Sequence, residues 1–258
     1  MTNPPAQDDA ADDAAPPVTG ALWRGWYAEG VRQAMSGPAF FVAIAMIGVG
    51  GLAKVAGFPA GAAFLSTLTI WAGPAQVLFF GSIAAGVALP AVALSISLSS
   101  IRFVPMCLTV LPMLRTKRTR TLTLVIAAHF IAVTVWAESL RRLPEIEREA
   151  RLPFFFGFAT ACILNTAAFT TLGYYMTAEL PTPLAIGVLF LTPVYFLSTL
   201  VRNARQPIDW LAMLFGLALS PITQAFVGGG FDLLVLGLGG GTAAWAAGRA
   251  LENRSAEH

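Results

Sequence analysis

Four polar constellations inside otherwise apolar sequence could do chemistry. Ser95, Ser99 and Arg102 recur at i, i+4 and i+7, which puts two hydroxyls and a guanidinium on one helical face. Trp71-Ala72-Gly73-Pro74-Ala75-Gln76 interrupts an apolar run. Pro74 lacks an N–H and clashes with the preceding turn, and Gly73 adds backbone freedom. Gln76 follows the break with both donor and acceptor groups. His129 lies in mid-segment, where a ring that titrates near neutrality could relay protons or simply pack. Asn165 offers a buried amide, followed by Thr166.

Arg102 is far from either end of its run, and an arginine at a bilayer centre costs about 2.5–3.5 kcal/mol on insertion scales. It must face protein or water with a partner. The partner is either a ligand anion or the backbone carbonyls freed by Pro105 and by the break at Pro74. A broken helix beside a buried cation is one way to build a polar site inside lipid, since a half-helix N-terminus and an arginine both attract a carboxylate. With aliphatic walls, the constellation suits a small amphiphilic anion or zwitterion such as an amino acid. Gly73, Gln76, Ser99, Arg102 and Asn165 are the expected substrate-binding residues, and His129 is the proton-handling candidate.

The elements that must hold these groups are membrane helices. The chain is 56% hydrophobic and 12% charged over 258 residues, with mean hydropathy +0.70. A soluble domain carries about twice that charge. The runs are about long enough to span a bilayer and lack period-two alternation, so a polytopic all-α membrane protein is expected and a β-barrel is not. Apolar segments lie near 26–50, 60–86, 88–112, 122–140, 154–177, 183–201, 208–226 and 230–248. Residues 1–22 read as a disordered acidic tail, 23–250 as the transmembrane transporter domain and 251–258 as a polar tail.

Eight straight spans with both ends inside leave the basic turn Thr116-Lys117-Arg118-Thr119-Arg120 outside, against the positive-inside rule. If the fourth segment does not cross, seven spans remain, and with the N-terminus outside only Arg24 and Arg32 offend. Both topologies stay open. A second helix break is expected at Thr192-Pro193. Small residues at Gly157 and Ala161, and again at Gly237 and Gly241, predict close helix packing within the chain or to a partner. A weak similarity at an offset of 94 residues suggests an internal repeat that maps Trp71–Pro74 onto Asn165–Ala168.

Cys107 and Cys162 sit in apolar runs and read as reduced packing residues. No nucleotide-binding, metal-binding or protease pattern is present, so neither an enzyme nor a cofactor is expected. The net charge of +2 gives no reason to expect a nucleic-acid partner.

The order of these features resembles the AzlC family of branched-chain amino acid permeases, often described as exporters. The similarity runs from about Trp26 to Trp245. Ala72, Gly73 and Gln76 match the family's Phe-Ala-Gly-Ala-Ser-Gln-like motif, where Trp71, Pro74 and Ala75 differ. Ser100-Ile101-Arg102-Phe103 is similar to an Asn-Leu-Arg-His signature: the arginine is kept and the histidine is Phe103. The block LAIGVLFLTPVYFLSTLVR is similar to the family's penultimate one. An acidic pair of the fourth segment is replaced here by residues around His129. The resemblance implies a multi-pass protein of the bacterial inner membrane, working with a small AzlD-like membrane subunit on an aliphatic amino acid. The missing acidic pair leaves two alternatives, a non-transporting membrane scaffold or a carrier for another small organic anion.

Overall fold

The computed structural model describes residues 20–36, 38–204, 207–226, 235–243, 245–246 and 248–249. The expected 251–258 tail, nearly all of the 1–22 tail and part of the last apolar segment lie outside them. The described residues are helical throughout, with no strand among them. We number the helices α1 (Gly20–Ser36), α2 (Pro38–Ala45), α3 (Ile47–Val55), α4 (Ala60–Ile70), α5 (Gly73–Ala84), α6 (Leu89–Ser100) and α7 (Phe103–Leu114). There follow α8 (Thr121–His129), α9 (Val133–Arg142), α10 (Arg148–Glu179), α11 (Thr182–Asn203) and α12 (Pro207–Phe226).

The first four apolar segments are each divided near the middle, whereas the fifth is the unbroken α10. That helix is by itself long and apolar enough to cross a membrane, at hydropathy 1.6. Two bent pairs, α1 with the helices after it (56°) and α6 with α7 (43°), qualify when each is taken as one span. This falls short of the expected seven or eight spans, and the geometry of the second and fourth segments gives a reason.

Each of those two segments doubles back. Gln76 of α5 bonds Ser66 and Thr67 of α4. Phe79 and Phe80 of α5 pack on Phe58, just ahead of α4. Residue numbers falling on one helix as they rise on the other describe an antiparallel hairpin. It starts and ends beside Ala53 and Tyr174, in one apolar cluster. The α8–α9 hairpin enters from the opposite end. Thr123 of α8 shares a cavity with Arg148 and Leu152 at the start of α10, and α9 leads back to that start through the short turn Leu143–Glu145.

The whole segment α1–α3 runs alongside α10, in the same direction. Gly30 meets Phe154 and Phe158, and Gly50 meets Thr170 and Tyr174. Trp23 and the 116–120 turn therefore share one end of the bundle with Arg148. Lys54 lies at the other end, over the Tyr174 ring at 4.9 Å. Neither topology read from the sequence foresaw two hairpins. With both folded back, the basic turn lies at the same end as Arg148, and Lys54 lies at the other.

The repeat at an offset of 94 is not what the fold contains. Its mapped break, Asn165–Ala168, falls in uninterrupted helix. In element order, a divided helix precedes a hairpin in α1–α5, and a divided helix precedes a hairpin in α6–α9. Likewise α11 continues through Pro193 without the expected break. Gly157 packs as expected, but Gly237 and Gly241 meet nothing within 4 Å.

Candidate functional site

The break in the second segment falls at Trp71 and Ala72. Trp71 ends α4 in the left-handed region (φ 46°), the one non-glycine residue with positive φ among those described, and Ala72 is extended. Such a conformation is uncommon for a bulky side chain and needs external support. Gly73 and Pro74 open α5, where the missing proline N–H costs nothing. In the third segment the break is at Ile101 and Arg102. Pro105 explains it, because it has no N–H for the Ile101 carbonyl and its ring would clash with that carbonyl in a continuous helix.

The two hairpin tips hold each other. Beyond Trp71 there is no helical N–H for the Leu68 carbonyl, and His129 Nε2 takes that place at 2.8 Å. A carbonyl only accepts, so Nε2 carries the proton. In return Trp71 Nε1 donates to the Phe130 carbonyl, left free by the break in α8–α9, at 3.0 Å. His129 thus clasps a helix end and lines neither cavity described below. We predict that His129→Leu and Trp71→Phe each cost about 1–3 kcal/mol through an unpaired carbonyl. The double variant should lose less than the sum of the two, since both bonds join the same tips. Thermal unfolding of the set in detergent measures this, and strict additivity would count against a shared clasp.

Arg102 borders two cavities at the level of these tips. The larger, of about 490 Å³, is lined by Leu78, Leu98, Ile101 and Leu238, with Ser95 and Ser99 beside the arginine. The shared helical face expected from sequence is therefore real. Ser97 and Ser100 turn back onto carbonyls of their own helix, while Ser95 and Ser99 make no hydrogen bond among the described residues. The smaller cavity, of about 70 Å³, brings the breaks together: Met46 from between α2 and α3, Trp71–Pro74 and Gln76, Arg102 and Phe103, and Ala132–Thr134, faced by Thr166 of α10. Among the described residues Arg102 bonds no freed carbonyl, one of its two expected partners. Its guanidinium stacks 5.3 Å from the Phe103 ring, and its buried Nε has no hydrogen-bond partner.

Gln76 is fully buried, and its orientation is dictated by its neighbours. Ser66 donates its hydroxyl proton to the Ala63 carbonyl at 2.7 Å. The Thr67 hydrogen goes to Ala63 or to Thr170. Both oxygens must then accept from Gln76 Nε2, at 2.9 and 3.0 Å. That leaves Oε1 buried without a donor, on a side chain that lines the smaller cavity. A cation and a bare acceptor at one cavity are chemically suited to a small molecule bearing both an anionic group and an N–H.

Of the residues expected at the site, Gly73, Gln76 and Arg102 come together, and Ser99 joins through the larger cavity. Asn165 lines neither; its neighbour Thr166 does. Met46 and Thr134 also line the smaller cavity, though neither was among the residues expected from sequence.

Neither curated proteins nor solved structures provide a match to this chain. The family model described as "AzlC protein" matches residues 38–180, more than half of the chain and the portion that carries every divided segment after α1, so the chain belongs to the AzlC family.

Proposed function

We propose that this chain is the large subunit of a secondary transporter for branched-chain or similar aliphatic amino acids. Membership in the AzlC family supports the class of substrate. The observation that carries the reading is the pairing of Arg102 with the bare Oε1 of Gln76 at one cavity. A carboxylate suits the first, through charge-assisted bonds, and an ammonium group the second. The larger cavity, walled by Leu78, Leu98, Ile101 and Leu238, suits an aliphatic side chain. Export, an inner-membrane location and a small AzlD-like partner complete the proposal on the family's pattern. The end bearing Trp23, the 116–120 turn and Arg148 then faces the cytoplasm.

Counterflow of labelled leucine in proteoliposomes, with and without the small partner, tests the reading. Exchange driven by preloaded amino acid supports it. No exchange of leucine, valine or methionine by folded protein in either format overturns it. Gln76→Leu, similar in size but without the acceptor, is expected to lower leucine exchange at least tenfold, by about 1.4 kcal/mol or more. Inhibition by 4-methyl-2-oxopentanoate, which lacks the ammonium group, should stay unchanged or strengthen. Equal weakening for both compounds would mean that Gln76 does not read the amine.

A further inference from the structure

A second concavity, of about 320 Å³, opens at the basic end of the bundle, away from the Arg102 cavities. It lies between Trp23 of α1, the turn from Thr116 to Thr123, and the first residues of α10. Arg118, Arg120 and Arg148 line it, and Glu149 is the one carboxylate there. None of these arginines forms an ion pair or hydrogen bond among the described residues. Their neighbours at the same end behave differently. Arg141 and Arg142 pair with Glu138 and Glu145, and Arg151 donates to the carbonyls of Ile146 and Met113. Three uncommitted guanidinium groups around one cavity repel each other unless an anion joins them, and the guanidinium fork fits phosphate oxygens in pairs.

The rest of the lining points to where that phosphate comes from. Leu152 and Pro153 make part of the wall apolar, and Trp23, 39% exposed, stands at the rim. An indole at the end of a membrane helix favours the headgroup level. The concavity also sits at the very start of α10, the helix long and apolar enough to cross by itself. Basic pockets between helices at that depth are suited to anionic headgroups.

We propose that this concavity binds the phosphate of an anionic phospholipid in the leaflet facing the basic end, with Arg118, Arg120 and Arg148 as its ligands. The inference rests on the membrane reading of α10 and not on transport, and its test reads binding alone. The full chain, purified in uncharged detergent, is titrated with phosphatidylglycerol, phosphatidylcholine or inorganic phosphate. Thermal unfolding and lipid retention in native mass spectrometry are followed. Phosphatidylglycerol is expected to raise the unfolding temperature and to be retained, less so at high salt. Phosphatidylcholine and inorganic phosphate at matched concentration should do neither. Replacing all three arginines by glutamine should weaken phosphatidylglycerol binding roughly a hundredfold, whereas Arg115→Gln, at the same end but outside the lining, should leave it unchanged. If the triple variant does not fold, Arg118→Gln and Arg148→Gln singly should each weaken binding several-fold. Three results would overturn the proposal: equal effects of the two lipids, phosphatidylglycerol binding that survives the arginine substitutions, or inorganic phosphate alone reproducing the shift, which would mark a site for a soluble anion.

Discussion

Arg102→Ala should bring leucine counterflow down to the level of empty vesicles while leaving a folded, inserted protein. The guanidinium borders both cavities, stacks on Phe103 and has a buried Nε with no protein partner. Its loss removes a charge-assisted bond to substrate of about 2–3 kcal/mol, or roughly thirtyfold to more than a hundredfold in affinity. It removes no ion pair or hydrogen bond among the described residues. An arginine at mid-bilayer is itself costly, by about 2.5–3.5 kcal/mol on insertion scales, so the alanine variant should insert and unfold as well as the parent or better. Arg102→Lys keeps a charge but loses the planar fork, and an intermediate rate is expected. Parallel thermal unfolding and counterflow of the three proteins measure this. Normal transport by the alanine variant would remove Arg102 from the site. A marked fall in unfolding temperature would mean that the guanidinium braces the bundle instead of holding substrate.

What was legible in the sequence follows from how strongly each residue constrains its own backbone. Gly73 and Pro74 announce a break wherever they occur, and Arg102 with Ser95 and Ser99 at helical spacing announces a polar face in lipid. These were found. The break at Phe130–Ala132 has no glycine or proline, and it is held by contacts from sixty residues away, through Trp71 and His129. No local pattern encodes that. Apolar length could not separate a hairpin from a span either, because a hairpin of two short helices contains as many apolar residues as one long helix. The distinction lies in pairings such as Gln76 with Ser66, or Phe80 with Phe58, which are tertiary facts. The place of His129 is likewise a tertiary fact. Its type suggested proton chemistry, whereas its position at the end of α8 gives its Nε2–H to an orphaned carbonyl. Asn165 was the more conspicuous polar residue, but helical geometry turns the adjacent Thr166 into the cavity.

Gly173→Ala is expected to have the largest effect on folding. A Cβ at Gly173 would stand 1.9 Å from the Ile47 carbonyl oxygen, and one at Gly50 would stand 1.8 Å from the Thr170 oxygen. Both obstacles are backbone and cannot swing aside. Admitting either methyl group must drive α3 and α10 apart by an ångström or more. Overpacking of this kind costs about 1–3 kcal/mol and sometimes more. Here the displaced helix also carries Thr170, whose hydroxyl bonds Thr67 in the network that orients Gln76. Gly173→Ala and Gly50→Ala should therefore reduce the yield of monodisperse protein and lower the unfolding temperature. What folds should exchange leucine poorly although no substrate contact has been touched. Gly61→Ala and Gly187→Ala supply the control, since nothing lies within 4 Å of a Cβ at either position. In a helix that change gains up to about 1 kcal/mol, so the controls should be neutral or slightly stabilising. Equal behaviour of the four variants would mean that α3 and α10 are not in close contact. The contrast matters because α10 is the one unbroken helix of the matched region. Gly157, packed on Tyr27, and Gly173, packed on Ile47, bring its two halves against the start and the finish of the first divided segment. These glycine contacts set the spacing between α10 and the first divided segment, which contributes Met46 to the smaller cavity.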